Sequence, residues 1–132
     1  NDQINMRVFY RNLGEVIHYI ADYFTFPHNP HYPGNLREHC AYEEQLKRGL
    51  KEYIQSGEAE KNSEMHKESL QNLNSIGAIC NFIRKVHETY VNLKNSVEGD
   101  CRLIVALCHQ VVEAVIHLVK RENSCQIIQT AY

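Results

Sequence analysis

Helix breakers and export signals are scarce in this sequence. Its three prolines, Pro27, Pro30 and Pro33, all fall within residues 25–34, so proline interrupts helix at one place only. No Asn-x-Ser/Thr acceptor occurs, and no basic, apolar and cleavage-site succession opens the chain, so nothing points to secretion. Bulk positive charge is missing too. The 14 Lys and Arg face 16 Asp and Glu, which removes the field that drives non-specific binding to nucleic acid or a membrane surface. The five cysteines, Cys40, Cys80, Cys101, Cys108 and Cys125, are odd in number and lack CxxC spacing. Most fall at apolar helix positions, where a reduced thiol acts as a small hydrophobe, and this favours a reducing compartment, cytosol or nucleus. The longest apolar run, 103–119, is interrupted by His109, Gln110, Glu113 and His117 and is marginal for crossing a bilayer. No Gly-rich phosphate loop or nucleophile elbow is found.

What is present is helical periodicity. With 132 residues and 43% hydrophobic content, one domain spanning 1–132 is expected. Its start at Asn1 and its apolar end at Tyr132 suggest a piece of a longer protein. Met6, Phe9, Leu13, Val16, Ile17, Ile20 and Phe24 recur at the spacing of one helical face and predict a helix over 2–24. The proline segment 25–34 is a loop. Asn35 followed by Glu38 has the pattern of a capping box and opens a second helix that stops near Gly57. Asn62 or Ser63 caps a third, running to about residue 98 along a seam of Ile76, Ile79, Ile83, Val86, Tyr90, Leu93 and Val97, with Gly77 as a point of bending or division. Gly99 and Asp100 form a stop-and-cap pair before a last helix over 101–121. The fold expected is an all-α, four- or five-helix antiparallel bundle.

Eight histidines raise the question of metal. A ferritin-like di-iron site needs Glu-x-x-His on two helices, and one such pair exists, Glu15 with His18, on a polar face. His109, Glu113 and His117 share a stripe that resembles the His-x3-Glu ligand spacing of hemerythrin-like bundles, against the plainer reading of a solvated stripe. His28, His31, His39 and Cys40 make another conceivable zinc set, but their spacing lacks the regularity of structural zinc sites, and ordinary loop histidines are favoured. His87, among Ile83, Tyr90 and Val91, reads as a hydrogen-bonded core histidine ahead of a general base or pH switch.

Arg102 precedes His109 with six residues between, a spacing that resembles the Arg-x4–6-His motif of the HEPN ribonuclease family. The resemblance implies an RNA-cleaving pair in which Arg102 steadies phosphate charge and His109 moves a proton. Arg11 and His18 match the same spacing.

The composition favours a non-catalytic interaction or scaffolding module over an enzyme. The last helix is apolar around most of its circumference, which calls for a central position or a partner. Its candidate contact residues are Leu107, Val111, Val112, Val115 and Leu118, joined by Phe26 and Tyr32 of the proline loop. A protein partner or a homodimer is expected, with no membrane, no nucleic acid and no cofactor.

Overall fold

The computed structural model describes residues 5–61 and 68–130, with side chains through residue 122. Its described residues form an all-α bundle without strands. Helix α1 spans Met6–Tyr23. Asn5 caps it, its Oδ1 accepting from the N–H groups of Arg7 and Val8 at 3.1 and 3.3 Å, which satisfies donors that no helical carbonyl reaches. A 3-10 turn, Phe26–His28, lies within the proline segment. Helix α2 spans Leu36–Gln55, with Asn35 Oδ1 accepting the Glu38 N–H at 2.9 Å, as the sequence expects. It ends beside Gly57, whose φ of 80° is the left-handed conformation that glycine adopts without penalty. Helix α3 is the single turn Glu58–Lys61.

The long third helix of the sequence reading is not continuous. Its caps at Asn62 and Ser63 lie outside the described residues. Ser75 is the cap that operates, its Oγ accepting from Ala78 N–H at 3.1 Å, and α4 spans only Ile76–Tyr90. Beyond it the chain turns, Leu93 N–H bonding to Tyr90 at 3.1 Å. This turn breaks the seam: Ile79 and Tyr90 are buried, Ile76 and Leu93 are exposed, and Val97 belongs to the next helix. Leu73, also buried, reaches the core from a turn.

Helix α5, Val97–Thr130, begins earlier and ends later than expected. Asp100 is not its cap. Ser96 Oγ accepts the Gly99 N–H at 3.0 Å, and Asp100 lies inside the first turn with its side chain buried. Ile104, Leu107, Val111 and Ala114 of α5 form the middle of the core with Ile20, Phe24, Leu46, Ile79 and Tyr90. Burying each large aliphatic among them contributes roughly 1.5–3 kcal/mol. Gly49 lets α2 approach α5 closely, since a Cβ there would stand 3.0 Å from Cys101 Sγ.

The apolar excess of α5 is thus partly explained by its central place, packed on α1, α2 and α4. Leu107 and Val111, expected as contact residues, are core positions. Val112, Val115 and Leu118 are half-buried. Val97–Glu122 is long and apolar enough to cross a membrane by length and composition, a property that the core helix of a bundle shares.

Among the described residues Cys40, Cys80, Cys101 and Cys108 are free thiols. Cys40 and Cys80 are exposed, contrary to the expectation of apolar positions. Cys101 and Cys108 are packed inside, and burial pushes both thiols up to about 11.

Candidate metal centre

Residues 25–32 wind through a chain of short-range bonds. Thr25 Oγ donates to the Ala21 carbonyl at 2.7 Å. The N–H groups of His28 and Asn29 bond to the carbonyls of Thr25 and Phe26, each at 2.9 Å, and Tyr32 N–H to Asn29 at 3.0 Å. Asn29 is buried, and its Oδ1 accepts the His31 N–H at 3.0 Å, leaving its Nδ2 without a partner. This winding carries His28 against α2. There His39 and Glu43, four residues apart, share one face of the helix.

The three side chains converge. His28 Nε2 and His39 Nε2 each stand 2.9 Å from the same oxygen, Oε1 of Glu43. The two imidazoles meet edge to face at 5.0 Å. Behind them lie Tyr32, 6.3 Å from the His39 ring, and Phe26, which packs edge-on against both Tyr32 and Tyr42. Of these rings, Tyr32 meets His39 directly, edge to face. The side chains of His28, His39 and Glu43 remain 35%, 27% and 45% exposed, so solvent and a small ligand can reach them. The hydrogen bonds from His28 and His39 hold the Glu43 carboxyl below its ordinary range.

The donor chemistry fits zinc. One ligand atom from each residue lies within 4.8 Å of the other two. A tetrahedral zinc with bonds of about 2.0–2.2 Å spaces its donors about 3.4 Å apart, and each 2.9 Å contact to Glu43 is within roughly half an ångström of that spacing. Two imidazoles and one carboxylate with a fourth position open is the pattern of catalytic zinc sites, whereas structural sites close all four positions.

Below this cluster lies a buried polar knot. Asp100 accepts hydrogen bonds from the Phe26 N–H at 2.9 Å, the Tyr42 hydroxyl at 2.6 Å and the Tyr90 hydroxyl at 2.9 Å. Burial, reinforced by the neighbouring carboxylate, pushes both phenols far above their ordinary value, which keeps them as donors.

The chain matches the zinc-dependent phospholipase C family over residues 1–97. It belongs to that family. No curated protein and no solved structure gives a match. The phospholipase C match contains α1, the proline loop, α2 and α4, and hence all three convergent donors.

Membership of a phospholipase C family overturns the expectation of a non-catalytic scaffold or adaptor. It also displaces the ribonuclease alternative. Arg102 and His109 are both exposed on α5, beyond the phospholipase C match. His109 Nδ1 lies 3.9 Å from Glu113 Oε2 in an exposed i,i+4 pair, and among the described residues no triad with His117 converges as His28, His39 and Glu43 do. Of the loop zinc set weighed from sequence, His28 and His39 take part, while His31 and Cys40 are exposed outside the cluster. Glu43 was missed. Its signal was legible, because His39-x3-Glu43 repeats the spacing weighed at His109 and Glu113. Phe26 and Tyr32, expected as docking residues, are half-buried and stacked edge to face on each other, with Tyr32 against His39. His18 and Asp22 also stand four apart, 3.4 Å from each other and exposed.

Proposed function

We propose that this chain contributes a zinc centre, His28, His39 and Glu43, to hydrolysis of the phosphodiester bond on the glycerol side of a phospholipid headgroup. The observation that carries the reading is the convergence of both imidazoles on one Glu43 oxygen at 2.9 Å in a chain whose family is zinc-dependent. A bound zinc ion supplies Lewis-acid chemistry, drawing charge from a phosphoryl oxygen and making water a stronger acid. His28 and His39, neutral when they ligate, offer ring nitrogens without adding charge, and Glu43 offsets part of the positive charge of the ion. The 3-10 turn places His28, and the i,i+4 spacing on α2 places the other two. Tyr32 flanks His39, and the partial exposure of all three donor side chains leaves them accessible from solvent.

The test is zinc-dependent release of diacylglycerol from phosphatidylcholine vesicles by the zinc-loaded chain, with His39→Ala and Glu43→Gln as controls. Diacylglycerol release that a chelator abolishes and both substitutions suppress is the expected result. A chain that binds zinc through these residues and releases no diacylglycerol overturns the proposed reaction. A chain that binds no zinc overturns the centre itself.

A further inference from the structure

Asp100 lies in the first turn of α5, 1% exposed, outside the residues that match the family. Its three bonds tie together distant parts of the chain: Oδ2 takes the Phe26 N–H and the Tyr42 O–H, 74 and 58 residues away, and Oδ1 takes the Tyr90 O–H. Burial pushes Asp100 above the usual carboxylate range, against the pull of these bonds. Burying a carboxylate costs free energy that its three hydrogen bonds must offset.

The knot holds the two segments that carry the donors. Phe26 opens the 3-10 turn that ends on His28. Tyr42 precedes Glu43 on α2 and stands about one helical turn beyond His39. Within α2 the spacing of His39 and Glu43 is set by the helix itself, but nothing local sets the distance from the loop to the helix. We infer that Asp100 is a positioning residue for the metal centre: by gripping the Phe26 amide and the Tyr42 hydroxyl with one oxygen, it sets His28 against the His39–Glu43 pair. The inference rests on the zinc reading above. Partners that orient ligands from behind change metal affinity by roughly 10–100-fold when removed.

The experiment measures zinc affinity of the whole chain by competition with a chromogenic chelator, alongside thermal melting without metal, for wild type, Asp100→Asn, Tyr42→Phe and Tyr90→Phe. Tyr90→Phe removes a bond to the same carboxylate without touching the loop or α2. The expected result is about 10–100-fold weaker zinc binding in Asp100→Asn and Tyr42→Phe, with Tyr90→Phe close to wild type, although all three melt at lower temperature. Should Asp100→Asn fail to fold, the two phenylalanine variants decide. Unchanged affinity in Tyr42→Phe, or an equal loss in Tyr90→Phe, reduces the knot to a stability element and overturns the inference while the zinc centre stands. A wild-type chain that binds no zinc overturns both.

Discussion

The imidazole of His87 lies flat on the phenol ring of Tyr23, with centroids 3.5 Å apart and planes 8° from parallel. It joins α4 to the end of α1 just before the proline loop. Phe24 and Tyr90 crowd the same imidazole at 5.4 and 5.8 Å. The sequence reading of a hydrogen-bonded core histidine is thus met in part: the ring is half-buried, stacked on Tyr23 and hydrogen-bonded to its backbone.

That placement gives a pH dependence. Burial lowers the His87 pKa below its ordinary value, opposed by a backbone hydrogen bond to Tyr23. The unfolded chain therefore takes up a proton at higher pH than the folded one. Stability is full above the unfolded pKa of about 6.5 and falls as pH drops from there toward the lowered folded value. His87→Phe, which keeps a stacking ring but cannot titrate, should flatten the loss of stability below that pH in denaturant melts. An acid slope as steep as that of wild type would assign the dependence to other groups.

At the metal centre, His28→Ala, His39→Ala and Glu43→Gln should each weaken zinc binding by more than the roughly 10–100-fold typical of losing an outer hydrogen-bond partner. Without metal the same substitutions should hardly change stability, because exposed ion pairs contribute only about 0–1 kcal/mol. Isothermal titration with zinc, beside a melt of the metal-free chain, checks both halves. Wild-type affinity in Glu43→Gln would remove that residue from the ligand set.

Two leucines separate core from surface. Leu107, fully buried against the bundle, should lose about 2–5 kcal/mol on change to Ala. Leu36, 77% exposed at the start of α2, should lose no more than about 0.5 kcal/mol. Urea unfolding of both variants tests the central position assigned to α5, and equal losses would contradict it.

Asn35 caps α2 where the loop ends. Asn35→Ala removes the acceptor for the Glu38 N–H and should cost about 1 kcal/mol. If the cap also fixes where α2 begins relative to His28, zinc affinity should fall with it. A stability loss near zero would show that solvent satisfies that N–H equally well.

By itself the sequence determined the local grammar of this protein. The Asn35 cap, the stop at Gly57, the loop at 25–34 and the inward faces around Ile20, Leu46 and Ile79 are encoded by neighbours within four residues, where capping and helical periodicity act. The His39–Glu43 spacing was legible on the same grounds. Pairing that couple with His28 was not, because the approach depends on how the 3-10 turn winds and how α2 lies beside it. Asp100 shows the limit most clearly. After Gly99 it looks like a helix cap, and locally nothing distinguishes the two roles. Only packing α5 through the middle of the bundle buries that carboxylate and presents it with donors 58 and 74 residues away. The same packing turns Leu107 and Val111 from a candidate docking face into core. Local hydrogen bonds and periodicity are short-range and written in order along the chain, whereas burial and ligand convergence are properties of the closed tertiary structure.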